Sequence, residues 1–212
     1  MDEKKLCQNL NAILDRLTFA NSSLNIFKSV ISTIRNGEKD LLIRDINFWK
    51  VVTDNCCFRA LAELAKTYDE GKDSVGLLKI INQADQLRSD ESMKSLVKEA
   101  REKYANLAPL RDNLRVLRDK GLAHSDKKYA VDLNALVSTY GLPVDELDML
   151  IDTAADISSA ILGELTGVGR SVELSLPDDA YAIIEDIKYA EAQRKAAYDA
   201  IMKCYCNNGA NF

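Results

Sequence analysis

The sequence predicts an all-α fold, an up-and-down helical bundle with long antiparallel helices and a short accessory helix or two. Two observations carry this. Only three prolines and nine glycines occur in 212 residues, too few for turn-rich β architectures, and alanine, leucine, lysine and glutamate dominate instead. Apolar residues also recur three and four apart along most of the chain, the period of a helix face. The length allows one sizeable core without demanding two, so residues 1–206 read as a single helical domain and 207–212 as a frayed tail.

The first helix carries Leu6, Leu10, Ile13, Leu17, Ala20, Leu24, Phe27, Ile31 and Ile34 in a four-three alternation and ends near Asn36-Gly37. Such a seam suits an antiparallel neighbour in the bundle or a dimer-forming coiled coil. A second helix runs from Asp40 to Tyr68, its apolar face lined by Ile43, Ile46, Trp49, Val52, Cys56, Ala60, Leu61, Leu64 and Tyr68. Trp49 reads as core. Asp69 to Ser74 is a turn, and Ser74 or Asp73 caps a short helix through Leu77, Leu78, Ile81 and Leu87. Ser89-Asp90-Glu91 opens a long helix to Leu117 that Pro109 kinks or splits. Leu133 to Tyr140 is a short helix ended by Gly141. Pro143 takes the first position of a helix reaching Leu165, and Gly167 and Gly169 stop it. Val172 to Leu176 alternates like a short extended piece, and a last helix runs from Asp178-Asp179 to about Lys203.

The net charge of −5 argues against general coating of nucleic acid but allows a local basic patch. The five cysteines, Cys7, Cys56, Cys57, Cys204 and Cys206, include no CxxC pair, and they read as thiols of a reducing cytoplasm. With His124 as its single histidine, the chain has no zinc-ligand spacing, and no cofactor motif is present. No apolar run is long enough for a signal peptide or a membrane span.

The informative segment is Leu114 to Tyr129. Between Arg101 and Lys128 there are eight lysines and arginines against four carboxylates, a local charge of +4 in an acidic chain. Arg111, Arg115 and Arg118 recur at four and three, forming a ridge that can meet phosphates or can be a solvated helix face. On an unbroken helix Arg118 and His124 would lie ~9 Å apart along the axis and ~120° apart around it. A helix end at Gly121 lets His124 fold back toward Arg118. The plain alternative is a turn at Ala-His-Ser-Asp, with Arg118 in a salt bridge to Asp119 or Asp112.

The stretch Leu117-Arg118-Asp119-Lys120-Gly121-Leu122-Ala123-His124-Ser125-Asp126 resembles the signature of the HEPN superfamily, an arginine followed after four to six residues by histidine. The blocks Leu64 to Asp69 and Asp73 to Leu78 resemble its AbiU-like branch, associated with bacterial abortive infection. The resemblance covers roughly residues 40 to 130. It implies a helical homodimer whose paired motifs face one cleft, and a metal-independent ribonuclease serving as a toxin or antiviral effector. By that resemblance His124 is the general acid/base, Arg118 stabilises the phosphorane-like transition state, and Asp119 orients the pair. Arg115, Lys120, Lys127 and Lys128 are candidates for substrate phosphates, on charge and position only. A cognate antitoxin or inhibitor is an implied partner. Some relatives carry a tyrosine two residues after the histidine, a target of nucleotidyl transfer. Asp126 stands there in this chain, so that regulation is not carried over. Other relatives keep the fold without nuclease activity. The alternatives are therefore a helical module binding RNA, a nucleotide or a protein without cutting, and a purely structural bundle.

Overall fold

The computed structural model describes residues 2–43, 45–88, 90–119, 140–172 and 179–208. Among them there are eight helices and no strand: α1 (Glu3–Arg35), α2 (Asp40–Ile43), α3 (Ile46–Thr67), α4 (Leu77–Leu87), α5 (Glu91–Asn106), α6 (Ala108–Leu117), α7 (Val144–Thr166) and α8 (Asp179–Asn208). The all-α expectation is met. No helix of the described residues is long and apolar enough to cross a membrane.

The chain divides into two compact units, the first formed by Met1–Leu24 with Asn55–Leu174 and the second by Asn25–Asp54 with Ser175–Phe212. In the first, α4 packs on α5 and both pack on α7. Leu6, Leu10, Ile13, Leu14 and Leu17 of α1 are fully buried, as are Leu64, Ile80, Ile81 and Met93. Arg16 of α1 donates to the carbonyl of Val75 at 2.9 Å, and Arg170 pairs with Asp15 at 2.6 Å. In the second unit a small core gathers Val30, Leu42, Trp49 and Ile184, with Ile187 against it. Trp49 is buried, as the sequence implied. Lys188 bridges Glu38 and Glu185 at 2.9 and 2.8 Å.

Local chemistry explains most boundaries. Asp90 caps α5 by accepting the Met93 N–H at 3.0 Å. Leu107 interrupts α5 and Pro109 sits in the first turn of α6, so the proline splits the expected long helix, since a proline early in a helix has no amide bond to lose. Gly167 closes α7 at φ 76°, the left-handed conformation that favours glycine.

Several boundaries differ from the sequence reading. The helix expected from Asp40 to Tyr68 breaks between Ile43 and Ile46. Asp45 stands ahead of α3, its carbonyl accepting Trp49 N–H, a position aspartate favours. The break turns Ile43 and Ile46 outward, and both are about half exposed (53% and 51%). The α1 seam is buried through Leu24, but beyond it Val30 and Thr33 are buried while Ile34 is exposed. A repeat of 3.5 drifts around a helix of 3.6 residues per turn, and the second unit supplies different neighbours. Neither Ser74 nor Asp73 caps α4; Gly76 holds that position. Pro143 precedes α7 as its cap, and α8 continues to Asn208. The expected helix from Leu133 to Tyr140 and the extended piece after Val172 lie almost wholly outside the described residues.

Candidate functional site

The site begins with the loop between α3 and α4. Ser74 Oγ donates to the carbonyls of Asp69 (3.0 Å) and Gly71 (2.7 Å), which draws the loop into a tight bend. Lys79 Nζ donates to the carbonyls of Lys72 (2.9 Å) and Ser74 (3.2 Å). At Gly76 an added Cβ would lie 1.9 Å from the Asp69 carbonyl oxygen, so that position has no room for a side chain. The sequence reading treated this stretch as an ordinary turn. It is a braced loop that presents Asp69 and Glu70 to α6.

Facing it, α6 carries Arg111 and Arg115, with Arg118 at its C-cap, along one side of an open cleft of about 420 Å³, whose other wall is Tyr68, Asp69 and Glu70. Each guanidinium meets a carboxylate. Arg111 Nη1 donates to Glu70 Oε1 at 2.6 Å, and Arg115 Nη2 to Asp112 Oδ1 at 3.2 Å. Arg118 is forked: Nη1 donates to Asp69 Oδ1 at 2.8 Å and Nε to Asp119 Oδ1 at 2.7 Å. Asp119, and with it Asp69, holds the Arg118 guanidinium above its ordinary pKa, against an opposing effect of burial. Around the cleft the described residues set three arginines against four carboxylates. The ridge that looked basic in sequence is charge-compensated in space.

Behind this array stands an aromatic pair. Tyr104 of α5 donates its hydroxyl to Glu70 Oε1 at 2.8 Å, and Arg111 lies over its ring, 3.8 Å from the centroid. Tyr68 stacks on Tyr104 at 6.0 Å between centroids and donates its hydroxyl to the Leu150 carbonyl of α7 at 2.6 Å. Burial drives both phenols well above their ordinary pKa; the neighbouring Tyr104 adds to it for Tyr68, and the Glu70 hydrogen bond for Tyr104. A raised pKa means that the folded chain keeps protons that the unfolded chain releases. The stability from these two phenols is therefore complete below about pH 10 and is lost as pH rises past it. Alkaline titration followed at the tyrosinate absorbance should show both phenols ionising only together with unfolding. In a Tyr68→Phe, Tyr104→Phe variant that late, cooperative part of the signal should disappear.

Of the residues singled out in sequence, Arg115, Arg118 and Asp119 fall in or beside this cleft. Lys120, His124, Lys127 and Lys128 lie outside the described residues, as does Gly121. Asp69, Glu70 and Tyr104 had no assigned role. Asp69 and Arg118 are 49 positions apart, so periodicity gives no hint of their pairing. The available signal was the Leu64 to Asp69 block. Cys7, Cys56 and Cys57 are partly buried thiols outside any disulfide, and burial raises the pKa of Cys7 and Cys56. Among the described residues, no group of three or more His, Cys, Asp or Glu side chains is arranged to hold a metal ion.

Compared with known protein families, residues 3–189 match the family model HEPN_AbiU2, described as AbiU2. No curated protein and no solved structure matches the chain.

Proposed function

The chain belongs to the AbiU2 family of HEPN proteins, and from that premise we propose that it is a metal-independent ribonuclease of a bacterial phage-defence (abortive infection) or toxin–antitoxin system, active as a cytoplasmic homodimer. The observation that supports this most directly is the forked Arg118, held at the end of α6 beside an open cleft of about 420 Å³. Its delocalised charge and fixed donor geometry suit the oxygens of a phosphodiester.

In this proposal His124 removes the proton from the ribose 2′-hydroxyl, and the 2′-oxygen attacks phosphorus. Arg118 offsets the charge that builds on the phosphorane, and Asp119 orients Arg118. The bond to the 5′-oxygen breaks, and that oxygen takes a proton from an imidazolium. In a two-fold dimer the partner histidine serves as this acid. The products are a 2′,3′-cyclic phosphate and a free 5′-hydroxyl. Arg115, Lys120, Lys127 and Lys128 hold flanking phosphates, and a cognate antitoxin or inhibitor restrains the enzyme.

The test is to incubate RNA with the purified chain and excess EDTA and analyse the ends formed. Cleavage to cyclic phosphate ends is the expected result. Intact RNA with salt-dependent binding would replace the enzyme by the second reading, a non-catalytic RNA- or protein-binding helical module. Among the described residues the carboxylates around the cleft outnumber the arginines, which favours the protein-binding form of that module, because it weakens the field that draws phosphates in. Light scattering checks the dimer.

A further inference from the structure

We infer that Asp69 is a positioning residue for Arg118, one that orients the guanidinium at the expense of substrate affinity. The inference rests on the proposal above in taking Arg118 as the group that meets the scissile phosphate.

Arginine is long and rotamer-rich, and Arg118 is the C-cap of α6: its backbone is still helical, with its N–H bonded to the carbonyls of Arg115 and Leu114, but that fixes the main chain and not the guanidinium. Two carboxylates hold it, but they are not equivalent. Asp119 is its neighbour in sequence and moves with the same backbone, so it shapes the guanidinium without fixing it in the cleft. Asp69 belongs to another element, and its bond at 2.8 Å ties Arg118 to the loop wall. Both side chains are about two-thirds buried (32% exposed each), so water screens the pair only partly.

Asp69 is itself fixed independently of α6. Gly71 N–H donates to its Oδ1 at 3.3 Å, and Ser74 Oγ donates to its carbonyl at 3.0 Å. Gly76 packs against that carbonyl, and Arg16 of α1 grips the loop at Val75. The loop is therefore a frame and Arg118 the piece mounted on it. The mounting group is an anion, however, and it lines the same cleft. A phosphodiester entering beside Arg118 also approaches Asp69, and like charges repel. The same carboxylate should improve turnover and weaken binding.

That pairing of opposite effects gives the test. In the full-length chain, Asp69→Asn keeps the shape and removes the charge. Its kcat on a short single-stranded RNA should fall about ten- to a hundredfold, the scale expected for a misplaced catalytic group, while its KM also falls. Asp69→Glu should recover most of kcat. The Arg118 Nη1–H signal, from the nitrogen that donates to Asp69, should be resolved in a ¹⁵N spectrum of the wild type, assigned with Arg118→Lys, and averaged by rotation in Asp69→Asn. Lower KM with unchanged kcat would make Asp69 a mere electrostatic screen and overturn the inference. So would a lower melting temperature with a raised KM, the mark of a purely structural role. If the wild type cuts no RNA, the ribonuclease proposal fails by itself. The Arg118 signal then still decides the positioning, and an unchanged signal in Asp69→Asn refutes it.

Discussion

Arg118→Ala is expected to lower RNA cleavage at saturating substrate by about a hundred- to a thousandfold, the usual cost of losing one preorganised donor to a transition-state oxyanion. His124→Ala should cost about a hundred- to ten-thousandfold, as for a lost general acid/base. The double variant should be scarcely worse than the poorer single one, because groups acting on one transition state are not additive. Stability should hardly change with Arg118→Ala. The substitution leaves Asp69 and Asp119 without their shared cation, but Arg118 and Asp69 are both about one-third exposed and Asp119 is half exposed. After discounting for solvent, the loss is on the order of 1 kcal/mol or less. Kinetics on short RNA, with melting curves of the same preparations, check both halves. Undiminished cleavage in either single variant would move the chemistry away from these residues.

The second large effect belongs to a residue with no reactive group. Gly76→Ala should cost about 1–3 kcal/mol, because its methyl group meets backbone and not a yielding side chain. The contact would be 1.9 Å to the Asp69 carbonyl oxygen and 3.4 Å to that of Thr67. For a chain of this size the melting temperature should drop by about 3–10 °C. Glycine is needed here for space and not for backbone freedom, since its φ of −101° is open to any residue. Gly71→Ala is the control. Its nearest contact is the Asp69 carboxylate at 3.2 Å, the movable end of a side chain, and stability should change little. Gly76→Ala should also slow cleavage, because the loop can admit the methyl group only by shifting Asp69. Equal melting temperatures for the two variants would remove the bracing role assigned to Gly76.

Where the sequence reading succeeded, the cause was local. Asp90 at the start of α5, Pro109 in the first turn of α6, and Gly167 after α7 act on backbone within a few residues, and their types announce what they do. The seam from Leu6 to Leu24 was equally legible, because burial on one face is written in the period. What escaped was set by chain folding. Ser74 looked like a cap but spends its hydroxyl bending the loop. The salt bridge of Arg118 to Asp119 was one of the alternatives the sequence offered, but Glu70, the partner of Arg111, and Asp69, the second partner of Arg118, come from the loop between α3 and α4, more than forty positions away. The break between Ile43 and Ile46 was equally hidden, since apolar spacing alone would carry one helix through both residues.

The two stacked tyrosines leave the protein little latitude in one dimension. Tyr68 hangs from the main chain of α7, Tyr104 is laid against it, and Arg111, the innermost arginine of the row, rests on Tyr104. The gap between α7 and that arginine is thus gauged by two ring thicknesses and a hydroxyl. Evolution or redesign can exchange the charged groups at the rim one at a time, but a slide of α7 carries the whole inner end of the row along with it.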